Sequence, residues 1–345
     1  MIWNPFETNT KRFLGIDIGT HSIKIVELSQ AGNRRKLNNY GEMTTAVLYE
    51  RPFRSFEKNS FVIANSEVDK AIKAIIQEAG MKSRKAYFAI PDFSSFFTTL
   101  NLPPMTKEEI PRAIQYQARQ HIPVPLSEVV LDWQIIKEGK VLLVAIPKEV
   151  LQQYQQIASD AQLELVAMEA EVFSLARALV GQEKIPLILV DIGARSTTIS
   201  VVDSGILRAS HSFDIAGGDF TDAISRGLNI DYKEAEALKQ KEGLLSEKGQ
   251  KIFLPLVDAF MEELRKVAQD YFLKEKRNIQ KIIIAGSSAR FPGLREYFSE
   301  NLTKTVEIAN PFIDLYYPPI LEMTLRKMGP SYAIAVGAAL SGLSK

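Results

Sequence analysis

The chain has 345 residues, enough for two or more domains, each with its own core. A composition of 46% hydrophobic and 24% charged residues is that of a soluble globular protein, and a formal net charge of +1 argues against a nucleic-acid partner. No cysteine is present, which excludes disulfides and thiolate metal sites; three histidines (His21, His121, His211) argue against a His-rich metal centre, and no run of roughly 18 apolar residues offers a membrane span.

The N-terminal stretch MIWNPFETNTKRF lacks the apolar stretch of a signal peptide, so the sequence predicts a cytoplasmic chain that something else must hold if it acts at a membrane. Phe13 to Ile18 reads as a strand, Gly19 to Ser22 as a tight turn, and Ile23 to Val26 as a returning strand. A second turn, Ala31-Gly32-Asn33, leads to a strand over Lys36 to Met43, and residues 44–65 read as loop. Ser66 to Ala79 has the spacing of an amphipathic helix, with Ser66 as cap, Asp69 at the capping-box position and Gly80 as its stop. Ala86 to Ile90 reads as a buried strand.

From Pro91 to about Leu165 the pattern changes. Phe93, Phe96, Phe97, Leu100 and Leu102 predict a strand, Thr106 to His121 a helix carrying Pro111, and Val129 to Ile136 with Val141 to Ile146 a hairpin. Lys148 to Ala161 reads as a helix and Leu163 to Ala167 as a closing strand. We read 91–165 as an inserted subdomain; the competing reading extends the first lobe's own sheet. Glu169 to Leu179 is predicted as a helix rich in small residues.

The first motif then returns. LILVDIGARSTTISVV repeats GIDIGTHSIKIVEL, with Asp17, Gly19 and Ser22 matched by Asp191, Gly193 and Ser196 at a constant offset of 174 (191−17, 193−19, 196−22). Gly217-Gly218 opens a helix through Leu228, Asp231 to Lys239 predicts another, and Phe253 to Lys274 a long amphipathic one. Ile282 to Ala285 reads as a buried strand, Gly286-Ser287-Ser288 as a turn, and Pro292 to Phe298 as a helix. The helix from Pro330 to Ala339 is built of small residues and can pack closely on Ala170 to Ala178.

A hairpin tip of glycine and hydroxyl residues presents backbone N–H groups that suit phosphate oxygens. An aspartate beside it makes sense if it faces a hydrated Mg²⁺, which favours carboxylates and keeps several waters. One copy of D-x-G-x-x-S is a weak signal; two copies at matched positions predict two lobes gripping one polyphosphate.

The first hairpin turn at Gly19, the helix from Glu169, the second hairpin turn at Gly193, the Gly286 turn and the small-residue helix from Pro330, in this order, resemble the two phosphate loops, adenosine loop and connecting helices of the actin and heat-shock-chaperone ATPase superfamily, over nearly the whole chain outside the insertion. The resemblance implies an α/β, two-lobed fold of duplicated ribonuclease-H-like domains with an FtsA-type inserted subdomain in the first lobe. Its domains would be 1–90 (first lobe core), 91–165 (insertion), 166–186 (connecting helix), 187–329 (second lobe, with a helical subdomain at 216–279) and 330–345 (second connecting helix). The insertion follows the strand Ala86 to Ile90, as in FtsA and the type IV pilus assembly proteins of the PilM family. The sequence given ends at Lys345 just after the small-residue helix, without FtsA's terminal amphipathic helix, which favours the PilM family.

The resemblance implies ATP or ADP with Mg²⁺ as cofactors, and slow or no hydrolysis by the chain alone. Asp17 and Asp191 would face the cation. Gly19, Thr20, His21 and Ser22, with Gly193, Arg195, Ser196 and Thr197, would cradle phosphates, and Lys24 would reach them. Glu169 would position an attacking water. Gly217, Gly218, Gly286, Ser287 and Ser288 would border ribose and adenine, with Glu236 and Lys239 as further candidates. Ser287 replaces a glycine found in many relatives. For Lys24, Glu236 and Lys239 a solvated surface charge is the competing reading.

As partner the resemblance implies the cytoplasmic N-terminal peptide of PilN, docked where the first lobe meets the insertion and where Phe88, Phe93, Phe96 and Phe97 would supply apolar surface; for these residues the competing role is the insertion's core. Other inner-membrane platform proteins and the assembly ATPases would follow, with no nucleic acid and no direct membrane insertion, giving a cytoplasmic location peripheral to the inner membrane. Two rival readings are an FtsA-like filament former and a small-molecule kinase of the same fold. The kinase would need an aspartate base in the cleft, and no Asp besides Asp17 and Asp191 stands in a convincing loop.

Overall fold

The computed structural model describes residues 11–44, 65–106, 108–137 and 139–343; of the loop expected over 44–65 only the ends are described, Thr44 in a strand and Asn65 in a helix, and residues 45–64 and the side-chain cap at Ser66 lie outside the described residues. In chain order come β1 (Arg12–Ile18), β2 (Ser22–Ala31), β3 (Arg34–Thr44), α1 (Asn65–Glu78) and β4 (Lys85–Ile90). Then follow β5 (Phe96–Asn101), α2 (Ile110–His121), β6 (Val129–Lys137), β7 (Lys140–Pro147), α3 (Lys148–Asp160), β8 (Glu164–Ala170) and α4 (Glu171–Leu179). The remainder is β9 (Leu187–Ile192), β10 (Thr197–Asp203), β11 (Ile206–Phe213), α5 (Gly217–Leu228), α6 (Tyr232–Glu242), α7 (Glu247–Glu275), β12 (Lys281–Ala285), α8 (Leu294–Leu302), β13 (Thr305–Ile308) and α9 (Glu322–Leu343).

The sequence repeat is a repeat of topology. One five-stranded sheet has the order β3-β2-β1-β4-β8 and the other β11-β10-β9-β12-β13. In each, the first three strands are antiparallel and the last two join in parallel. Asp17 is in register with Lys24, and Asp191 with Thr198, so both aspartates hold the same place at the end of a central strand.

The chain forms two compact units, one of residues 1–91, 149–179 and 310–345, the other of 92–148 and 180–309. The segment 91–165, expected as one subdomain, is thereby divided. Its three-stranded sheet, β5-β7-β6, lies in the second unit, whereas α3 and β8 lie in the first. The reason is local. β8 pairs in parallel with β4, and Tyr154 of α3 meets Phe88 of β4 edge-on at 6.0 Å.

In the first unit α1 buries Val68, Ile72, Ile75 and Ile76, the face its periodicity predicts. It ends where Gly80 takes φ +62° and Met81 N–H donates to the Ile76 carbonyl. α9 lies on β1 so closely that a Cβ on Gly15 would stand 2.0 Å from the Ala335 carbonyl oxygen. It also presses on α4, where a Cβ on Gly337 would stand 1.8 Å from the Ser174 carbonyl oxygen. The small residues of both predicted helices are therefore a packing requirement, and α9 begins eight residues before the expected start, running through Pro330.

The second unit's core is aromatic. Phe220 and Phe291 each meet Phe253 edge-on and lie tilted to one another, and Phe260 meets Phe298 under the β9–β10 face. α7 supplies Phe253, Val257, Phe260, Leu264 and Tyr271 to this core, and its Ser246 cap accepts from Gly249 N–H at 3.0 Å. A second small core, built on Leu100, Ile114, Val141 and Leu143, holds α2 against the β5-β7-β6 sheet.

Candidate functional site

The two hairpin tips are closed in the same way. Gly19 N–H donates to the Ser22 carbonyl at 2.9 Å, and Gly193 N–H donates to the Ser196 carbonyl at 3.0 Å. A Cβ at either glycine would stand within 2.9 Å of that carbonyl oxygen, so the turn excludes larger residues at both places.

In the first unit Asp17, Thr20 and Ser22 are buried, while His21 is exposed at the tip. Lys24 is buried and not a solvated charge: its ammonium donates to Ser22 Oγ at 2.5 Å and pairs with Glu42 at 3.4 Å. It sits two residues after Ser22 on the same strand face, as its reading required. Glu169 lies in β8 and not at the start of a helix, because β4 recruits it into the sheet opposite Ala89. Its carboxylate accepts from Ser174 Oγ at 2.6 Å and from both guanidinium nitrogens of Arg177, and Arg177 also donates to the Gly337 carbonyl at 2.9 Å. The side chain read as a water-positioning base thus ties β8 to α4 and α9.

In the second unit three turns far apart in sequence converge. Gly217 N–H donates to the Gly193 carbonyl at 3.0 Å, Gly218 N–H to the Ala194 carbonyl at 2.8 Å, and Ser288 N–H to the Ile192 carbonyl at 3.1 Å. The approach is close enough to demand glycine. A Cβ on Gly217 would stand 2.0 Å from Ser288 Oγ, and one on Gly286, at φ +94°, 2.6 Å from Asp191 Oδ1. Asp191, Gly193, Gly217, Gly218, Gly286 and Ser288 form one contiguous site. Arg195 and Ser287 are exposed on its tips and Ser196 is half-buried.

Thr197 departs from its expected role: its buried hydroxyl donates to the Ile215 carbonyl at 2.6 Å, fastening the hairpin to the segment before α5. Lys239 is buried as well. Its ammonium donates to the Gly217 carbonyl and to Thr221 Oγ1, both at 2.9 Å, and pairs with Glu236 at 2.7 Å. Burial pushes the Glu236 carboxyl up, but the Lys239 ammonium and the Thr221 hydroxyl outweigh it and hold the group below the usual carboxylate range. Glu236 and Lys239 therefore lock the start of α5 in place. Sequence reading missed Thr221 and Tyr232 as members of this lock: the Thr221 hydroxyl donates to Glu236 at 2.6 Å, and Tyr232 hydrogen-bonds to Thr221.

The donor chemistry fits a nucleotide with a hydrated cation. Each unit offers one carboxylate beside a glycine turn, and Asp191 sits directly against the Gly286 turn. Among the described residues no group of three or more His, Asp or Glu side chains is placed to cage a metal.

A cavity of about 860 Å³ lies elsewhere in the second unit, between β5 and β7 on one side and β11 and α7 on the other. Phe97 lines it, and Glu275 of α7 pairs across its end with Lys137 and Lys140. Phe88, by contrast, is fully buried in the first unit, and Phe96 packs on the core around Leu143; neither is free apolar surface. No helix among the described residues is long and apolar enough to cross a membrane.

The order of elements and the doubled sheet have a known counterpart. The family model described as type IV pilus assembly protein PilM matches residues 15–343. The chain belongs to the PilM family. Its structure is similar to that of a PilM-PilN type IV pilus biogenesis complex, with a TM-score of 0.83 at 24% identity over 96% of this chain and 98% of that one. It is also similar to EutJ, an ethanolamine utilization protein of Carboxydothermus hydrogenoformans (TM-score 0.57, 18% identity, 98% of this chain and 92% of that one). MreB 5 of Spiroplasma citri, bound to AMPPNP, gives a TM-score of 0.51 at 15% identity over 92% of this chain and 97% of that one. In sequence it is similar to the cell division protein FtsA of Bacillus subtilis, 21% identical over 362 residues, 88% of this chain and 79% of the relative. The fold of this PilM-family chain is thus the two-lobed actin-like α/β fold that its motif order predicts.

Proposed function

We propose that this PilM-family chain is an adenine-nucleotide-binding scaffold of type IV pilus assembly that docks the N-terminal peptide of PilN and is held at the inner membrane by such partners. The observation that carries the nucleotide reading is the convergence of three glycine-built turns on Asp191, repeated in topology by the hairpin at Asp17. That the MreB 5 neighbour is bound to AMPPNP supports it.

In this reading Asp17 and Asp191 hold the waters of a Mg²⁺, which supplies the charge that neutralises phosphate. The tips at Gly19 to Ser22 and Gly193 to Ser196 turn toward phosphate oxygens, with the Lys24 ammonium behind Ser22. Gly217, Gly218 and Gly286 to Ser288 border the ribose and adenine, and their glycines are what lets these turns close on one another. With Glu169 engaged by Arg177, hydrolysis is slow, and the nucleotide acts as a structural ligand. Calorimetric titration of MgADP and MgATP tests this: binding is expected, and Asp17→Ala and Asp191→Ala each remove most of it while leaving the circular dichroism unchanged. No binding near millimolar nucleotide sinks the reading.

Docking of PilN is supported by the likeness to a solved PilM-PilN complex. The inserted β5-β7-β6 subdomain is the proposed docking element. A labelled peptide of roughly a dozen residues, the length an extended strand needs to cross a small domain, should bind the whole chain and fail to bind one lacking 92–147. That deletion spares β8, which completes the first unit's sheet, and α3, whose Tyr154 packs on Phe88 of β4. Retained binding moves the site elsewhere. FtsA-like filaments, the second reading, would show as nucleotide-dependent pelleting.

A further inference from the structure

Large apolar side chains are exposed singly on most surfaces, but four crowd one short segment of the first unit. Ile313 is 72% exposed, Tyr316 61%, Ile320 87% and Met323 80%. Pro318 and Pro319, also exposed, stiffen the stretch between them. The inward residues of the same segment, Phe312, Leu315 and Leu325, are buried in the core under α9, so the outward row is held rigidly.

The backbone places this row beside a block of positive charge. Tyr316 N–H donates to the Arg35 carbonyl at 2.8 Å, and Leu37 N–H donates to the Tyr316 carbonyl at 3.0 Å, so Tyr316 lies along the outer edge of β3. Arg34, Arg35 and Lys36 are all exposed there, and no acidic residue occurs between Glu27 and Glu42. Of the two acids in the apolar segment, Glu322 is engaged by Arg326 at 2.5 Å and by the Tyr317 hydroxyl at 2.6 Å; Asp314 is the other. Lys327 is exposed one residue further on.

We propose that this edge is an interfacial docking surface for an anionic lipid bilayer. Ile320 and Met323 project almost fully into solvent, which suits entry among lipid headgroups. Arg34, Arg35 and Lys36 lie alongside to meet lipid phosphates. Such contact reaches the interface without entering the hydrocarbon core, and it is independent of the nucleotide and peptide readings. Each cation near an anionic surface is worth roughly fivefold in affinity, and each aliphatic side chain that leaves water roughly tenfold.

The test is co-sedimentation of the full chain with vesicles of mixed phosphatidylglycerol and phosphatidylcholine, against pure phosphatidylcholine. Binding to the mixed vesicles is expected, falling with salt. Ile320→Ser with Met323→Ser should weaken it about a hundredfold, as should Arg34→Ser with Arg35→Ser and Lys36→Ser, both without change in thermal midpoint because these side chains are exposed. Absence of binding, equal binding to pure phosphatidylcholine, or binding that survives both variants overturns the proposal. So does concentration-dependent self-association of the unaltered chain that Ile320→Ser with Met323→Ser removes, since a second copy would then be the occupant.

Discussion

Gly286→Ala isolates what holds the second unit's site together. A Cβ at this position would stand 2.4 Å from the Ile192 carbonyl oxygen and 2.6 Å from its carbon, against an ordinary contact of at least 3.4 Å. The ends of β9 and β12 must therefore part by about 1 Å, and both atoms are backbone, so no rotamer change relieves the clash. The residue also has φ +94°, which costs an alanine about 1 to 2 kcal/mol. Gly205, in the turn between β10 and β11, provides the control: its φ is +74°, and nothing lies within 4 Å of the place a methyl would take there. Gly205→Ala should thus lose about 1 to 2 kcal/mol, and Gly286→Ala about 1 to 3 kcal/mol more. In a chain this long that extra loss lowers the melting midpoint by roughly 1 to 4 °C below the control. Because the new methyl also presses on Asp191 Oδ1, Gly286→Ala should lose nucleotide affinity that Gly205→Ala keeps. Differential scanning calorimetry with parallel nucleotide titration measures both. Equal midpoints and equal affinities for the two variants would refute the claim that close approach of these turns builds the site.

Gly337→Ala gains about 1 kcal/mol of helix propensity but must push α4 and α9 apart against the Ser174 backbone, so a net loss of about 1 to 3 kcal/mol should appear in urea denaturation. Arg177→Ala leaves Glu169 with the Ser174 hydroxyl alone and frees the Gly337 carbonyl, and should cost about 2 kcal/mol; recovery by Glu169→Gln in the double variant would show that the unpaired carboxylate is the cause. Burial pushes the Asp203 carboxyl up, but hydrogen bonds from the Tyr271 hydroxyl, Ser204 and Arg277 outweigh it and hold the group below its usual range. Because the folded form has the lower value, this stabilisation is present above the unfolded carboxylate range, near pH 4, and is lost as the pH falls through the folded value. The stability deficit of Asp203→Asn, large at pH 7, should therefore shrink in acid; a deficit constant from pH 7 to pH 3 would show that charge plays no part.

Much of the fold is local and so was written in the sequence. The hairpin turns need glycine where a carbonyl sits within 3 Å, and that need leaves Gly19 and Gly193 at a fixed offset. Helices α1, α5 and α6 announce themselves because caps and periodicity act within a few residues: Asp231 accepts from Glu234 N–H at 2.8 Å, and α5 starts at the expected Gly217. The pairing of α4 with α9 was legible too, since runs of small residues have few other uses. What tertiary structure alone decided were the partners of groups that could serve several. Glu169 was drawn into a strand by β4 and tied by Arg177, Lys24 and Lys239 were buried against hydroxyls and carboxylates, and Phe88 went under Tyr154. Likewise, the stretch between Pro91 and Leu165 was divided between the two units because β8 hydrogen-bonds to β4, whereas β5, β6 and β7 hydrogen-bond to one another. A strand's sequence specifies which faces are apolar, but the neighbour along its hydrogen-bonding edge is chosen by chain segments far away, and no local pattern encodes it.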